Sequence, residues 1–258
     1  MANIVPIKKE QHNNLKLAKA RDLSHVKGQH IVPLTAAEFA QASASFPIVL
    51  VKNPDSDRYR SVAMLGLEAG ENLFYQDEKW TAISIPQSIS MVPFSLGIDP
   101  EKENTLTACV DLDSEFIGEE KDLPLFEEGK ESEVLVNVQQ ALGRLYDNER
   151  MTEKFIKELQ DNDLLQELEL NIALSTGEKK KLVGIFTINE EKVKDFPDDK
   201  VLDFHKRGLF VPIYSMLGSL SQMNRLAQLR NQFSDNKVTG VQIVPVVDKA
   251  ADKVANDS

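Results

Sequence analysis

An α+β domain, with a mostly antiparallel sheet built from hairpins and helices concentrated in the second half, is the fold class predicted by this 258-residue sequence. Three observations carry it. Two runs of β-forming residues, Phe46-Pro-Ile-Val-Leu-Val-Lys52 and Arg58-Tyr-Arg-Ser-Val-Ala-Met-Leu65, flank the turn-forming Asn53-Pro-Asp-Ser-Asp57 and read as a hairpin. From Glu131 the period becomes helical, with Val134, Leu135, Val138, Ala141, Leu142 and Leu145 on one stripe. Strand character then returns at 168–174 and 182–188 around Ser175-Thr-Gly-Glu178, a second hairpin.

Along the chain, residues 1–30 are polar and broken by Pro6 and Gly28, the pattern of an extended N-terminal arm lying over the domain. Thr35-Ala-Ala-Glu38 has the capping-box spacing and predicts a short helix to about Ala44. After the first hairpin, Gly70-Glu-Asn-Leu-Phe-Tyr-Gln76 continues the meander, and 80–85 adds a short strand before Pro86. A separate helix follows Asn148, with Met151, Phe155, Ile156 and Leu159 inward. Asn189 caps a brief helix, Gly208 ends another, and one long helix is predicted over 212–232. The domain thus spans 31–233, with two subdomains meeting near 130 as an alternative. Residues 234–258 are expected as a polar, largely disordered tail in which only 241–244 has strand character.

Composition narrows the function classes. At 41% hydrophobic and 28% charged residues, the chain is neither wholly disordered nor fibrous. Its 41 acidic and 30 basic side chains leave a net charge of −11, which argues against nucleic acid as a partner. Residues 99–133 concentrate the acids, thirteen against three bases. No apolar run reaches the ~18–20 residues needed to span a bilayer, so no membrane insertion is expected. The N-terminus lacks the basic-then-apolar layout of a secretory leader, so a cytoplasmic location is expected, with the cell surface as the alternative.

No G-x-S-x-G, Walker loop, G-x-G-x-x-G or H-E-x-x-H string occurs, and no cofactor is implied. Cys109 is the single cysteine, set in a strand-like stretch where a thiol packs as a small apolar group. No two of His12, His25, His30 and His205 share an i, i+4 ligand spacing, so surface or capping roles are expected. Asp111, Asp113 and Glu115 would share one face if their strand continued, a candidate divalent-metal cluster beside the plainer reading of solvated carboxylates. For a ligand, the candidate site is a polar pocket of Glu68, Glu71 and Asn72 beside Trp80, the sole tryptophan; the simpler alternatives are a glycine-rich turn and an aromatic that closes the sheet.

His30-Ile-Val-Pro-Leu-Thr-Ala-Ala-Glu-Phe39, Phe46-Pro-Ile-Val-Leu-Val51, Leu65-Gly-Leu-Glu-Ala-Gly-Glu-Asn-Leu-Phe74, and then Trp80, Pro93-Phe94, Leu125-Phe126 and Gly208-Leu209 occur in an order that resembles the bacterial SapC family nearly end to end. The family takes its name from a protein associated with a surface layer, and its members are often encoded beside flavin-dependent tryptophan halogenases and outer-membrane receptors. The resemblance therefore implies a surface-layer link or an accessory role in the uptake or modification of a small molecule or peptide. It brings no catalytic residues with it. A soluble, non-catalytic accessory or binding protein is the expectation, with an unknown protein, small molecule or peptide as partner. The alternative is an enzyme assisted by a metal at Asp111, Asp113 and Glu115.

Overall fold

The structure, a computed structural model, describes residues 3–53, 56, 58–99 and 105–246. A six-stranded antiparallel sheet lies at its centre, in the order Val238–Pro245, Leu165–Leu174, Lys179–Ile188, Ile48–Lys52, Tyr59–Met64 and Ile31–Pro33. Both predicted hairpins are present. Ile48, Val49 and Leu50 are all fully buried, which explains their unbroken apolar run: a strand covered on both faces has no solvent side to mark with polar residues. The strand Leu165–Leu174, second from the edge, alternates instead, burying Leu168, Leu170, Ile172 and Leu174 while Glu167, Glu169 and Asn171 stay partly exposed. Phe39, Phe46, Phe74 and Phe204 fill the core above this sheet, together with Met216, Met223 and Leu226 from the C-terminal helices.

A second core has its own sheet, Ile4–Pro6, Leu106–Asp111 and Phe94–Ile98. Leu17, Phe94, Val110, Phe116, Leu125, Leu135 and Leu142 fill it. The N-terminal arm is therefore part of a core: Ile4 pairs with Asp111, and Val5, Ile7 and Leu15 pack inward. Nor do the two cores meet at residue 130. The first draws on 26–89 and 155–238, and the second on the arm and 91–142.

One helix, Glu133–Asp161, joins them. Ser132 caps its start, accepting from the Leu135 amide at 3.3 Å and donating to the Pro124 carbonyl at 2.7 Å. The break expected at Asn148 is absent: no proline interrupts the run, Gly143 is carried within it, and the Thr152 hydroxyl donates back to the Asn148 carbonyl at 2.7 Å. Leu135 and Leu142 enter the second core, and Phe155, Ile156 and Leu159 the first, so the helix rolls its buried face between them. Met151 falls on the exposed side, contrary to expectation.

Other elements also depart from the sequence reading. The helix expected over 212–232 is two, Phe210–Ser219 and Gln222–Phe233. At the break, the buried Ser219 hydroxyl accepts from the Ile48 amide at 2.9 Å and donates to the Met216 carbonyl at 2.6 Å, anchoring the first helix to the sheet. The meander does not continue through 70–76; only Tyr75–Gln76 and Lys79–Trp80 pair. The capping box is present, and Glu38 also accepts from the Gln87 amide at 2.7 Å, so one carboxylate serves two helix starts. Residues 238–245, assigned to the tail, form an edge strand longer than the 241–244 expected, because their register along Leu168–Leu174 gives their backbone a partner. The remainder of the tail, 247–258, lies outside the described residues.

The turn after the first hairpin is built on Gly66. A β-carbon there would lie 2.2 Å from the Glu71 carbonyl oxygen, so the loop closes only around glycine. Gly66→Ala should therefore destabilise the protein by about 1–3 kcal/mol in urea unfolding, whereas Gly143→Ala, on the long helix with open space around it, should be neutral or stabilising.

Candidate functional site

The two hairpins touch along a short seam. Ile185 pairs with Val51 and Phe186 with Leu50, and the pairing stops there. Just before it, Gly184 takes a positive φ of 75°, and the register of the second hairpin shifts between Leu168 and Leu170. An extra residue on one strand bends it away from its neighbour. The stretch 179–184 thus diverges from Ile48–Lys52 while staying paired with Leu165–Leu174, and a groove of about 530 Å³ opens along it. The sheet lines it with Ile31, Val49, Val51 and Met64, the loop after the first hairpin with Leu67 and Glu68, and the diverging strand with residues 180–185. Most of that lining is apolar, with His30, Glu68, Lys180 and Lys181 as its ionisable groups.

Glu68 is the centre of a charge network. Its Oε1 accepts from Lys180 Nζ at 2.7 Å and lies 2.5 Å from Arg230 Nη1. Arg230 is buried on the inward face of the last helix, with Nε 3.7 Å from Glu71 Oε1. Glu71 turns its other oxygen to the Leu67 amide at 2.7 Å, closing the loop on itself. The hydrogen bond from Lys180, reinforced by Arg230 and opposed by partial burial, holds the Glu68 carboxyl below the usual carboxylate range.

The four residues expected around one pocket separate into three places. Glu68 lines the groove; Glu71, Asn72 and Trp80 are not among its lining residues. Glu71 stands behind Glu68 against the same guanidinium. Asn72 is buried and bonded on both side-chain atoms: its amide N–H donates to the Val26 carbonyl at 2.8 Å, and its Oδ1 accepts from the Phe74 amide at 2.9 Å. Trp80 packs beside Phe46 and Phe74 at centroid distances of 6.0 and 6.2 Å and donates its indole N–H to the Ser84 carbonyl at 2.9 Å. The indole thus closes the core, and the asparagine fixes the turn.

Asp111, Asp113 and Glu115 do not converge. The strand ends at Asp111, whose Oδ1 accepts from the amides of Asn3 and Asp113, and Glu115 accepts from the Ser24 hydroxyl at 3.0 Å. Among the described residues, no three His, Cys, Asp or Glu side chains are grouped to hold a metal ion. His12 caps locally, its Nδ1 accepting from the Lys8 amide at 3.0 Å, while Cys109 is buried in its strand and burial pushes its thiol pKa up.

Arg230 and Lys180 escaped the sequence reading, although Arg230 had a signal. Met223, Leu226, Ala227 and Arg230 follow i, i+3, i+4, i+7, so the arginine continues a buried stripe. A guanidinium in that position requires carboxylates nearby.

Two outcomes follow from this geometry. Because the folded Glu68 carboxyl titrates below its unfolded value, its stabilisation is present above that value, near pH 4.5, and is lost as pH falls through the lower folded one. Glu68→Gln should therefore flatten the acid limb of a stability–pH profile below about pH 4.5, measured by urea unfolding, with its deficit largest at neutral pH. Trp80→Ala should lower stability by about 2–4 kcal/mol, since it empties part of an aromatic cluster, while groove binding is unaffected once the protein is folded.

Among the described residues no helix is long and apolar enough to cross a membrane. A search of curated proteins and one of solved structures both return no match. A family profile described as SapC matches residues 7–226, taking in both sheets' central strands, the long joining helix and the Gly66–Glu71 turn. The chain belongs to the SapC family.

Proposed function

We propose that the protein is a non-catalytic accessory or binding protein that holds a small molecule or peptide in the groove beside Glu68. The observation that carries this reading is the lining itself: about 530 Å³ of mostly apolar concavity with a few ionisable groups along it, the composition typical of ligand sites. Of those groups, Glu68, Lys180 and Lys181 favour holding over reacting. A general acid or base works best with a pKa near the working pH, and Glu68 is shifted away from neutrality by Lys180 and Arg230. Lys180 and Lys181 are themselves engaged, with Glu68 and with Glu169 at 2.5 Å. The surface-layer and uptake connotations of the family are two settings in which such a holder acts, and we place this one in the cytoplasm.

Native mass spectrometry of purified protein, incubated with low-molecular-weight fractions of the source cell, tests the reading. A retained compound should be lost on Leu182→Trp, which fills the groove from its half-buried wall, without a matching fall in melting temperature. No retained compound, or one indifferent to Leu182→Trp, would count against the groove. On cell fractionation the protein should remain in the supernatant; recovery with the envelope would favour a surface-layer component.

A further inference from the structure

Resting on the groove as the binding site, the shape of its wall identifies what fits. Residues 180, 181, 182, 183, 184 and 185 all line it. Side chains of a strand point alternately to opposite faces, so a cavity met by side chains alone would touch every second residue. An unbroken run means that the strand presents its edge. The register agrees: Leu165–Leu174 covers one edge of Lys179–Ile188, while the other is paired only at Ile185 and Phe186. Among the described residues, 179–184 therefore has an edge of backbone donors and acceptors with no strand beside it.

We propose that the occupant is an extended acidic peptide segment of another protein, which adds to this edge as a further strand. Charge selects it. Lys179, Lys180 and Lys181 are consecutive, and only the latter two have carboxylate partners among the described residues, Glu68 and Glu169. Lys179 is exposed and free to receive an acid, as a cationic edge in a chain of net charge −11. Lysines on an open edge repel like edges, so a second copy of this chain, bringing the same triplet, is the poorer occupant. The half-buried Ile31 and Val51 offer the apolar surface for every second side chain of the added strand, and the remaining ones stand beside the lysines. At ~3.3 Å per residue, the lined run accommodates roughly six residues of peptide.

The probe is a blocked hexapeptide alternating valine and glutamate, compared with one alternating valine and lysine, and with the acidic peptide N-methylated at alternate residues so that it cannot donate to a ladder. By fluorescence anisotropy the acidic peptide should bind at least tenfold tighter than the lysine peptide, more weakly as salt rises, and the N-methylated form should lose that binding. Lys179→Glu, at an exposed position without a carboxylate partner, should abolish the preference, and amide exchange over 179–184 should slow in the complex. Equal binding of the acidic and lysine peptides, or undiminished binding of the N-methylated form, would overturn strand addition. Absence of peptide binding while a Leu182→Trp-sensitive small molecule is retained would overturn it and leave the groove reading standing; absence of both would remove the two together.

Discussion

The arrangement around the groove depends on one buried cation. Arg230 continues the inward stripe of the last helix, and a guanidinium stays charged at physiological pH, so the fold must bring carboxylates to it. They arrive on the loop after the first hairpin, where Gly66 permits the close turn that places Glu68 and Glu71 together. Glu68 then reaches onward to Lys180 on the second hairpin. Three segments that are distant in sequence are thereby fixed relative to one another. Networks of this kind add little net stability, because desolvation offsets much of the attraction; their effect here is to hold a loop, a helix and a bent strand in one geometry.

That geometry makes the groove an opening in a sheet, distinct from a gap between domains. The bulge at Gly184 separates the hairpins, and the Glu68–Lys180 pair sets how far the strand departs. A sheet that opens in this way exposes backbone as well as side chains, which links the fold to the kind of recognition inferred for it. The second core plays a different part. It packs against the N-terminal half of the long helix, whose other half packs into the core of the main sheet, so one helix is shared by both.

Much of the fold was legible in the sequence, because local patterns there agree with the tertiary result. Both hairpins, the capping box at Thr35, the Asn189 cap and the Gly208 stop are set by turn chemistry and hydrophobic period. The failures come from long-range contacts. Ser219 breaks a helix by bonding to Ile48, 171 residues away, and the stretch 238–245 becomes a strand only because Leu165–Leu174 offers an edge. The candidate site was half legible. Glu68 and Glu71 are polar residues in an unusual glycine-rich stretch, and they do share a network; Asn72 and Trp80 sit in the same stretch but serve the turn and the core. Spacing alone could not separate these roles, since the partner that distinguishes them, Arg230, lies some 160 residues further on.

A double-mutant cycle on Glu68→Gln and Arg230→Met, read by urea unfolding at neutral pH, tests the claim that one buried cation organises this region. The account predicts a coupling of about 1–3 kcal/mol between the two positions, as for groups in one network. Strict additivity of the two substitutions would contradict it.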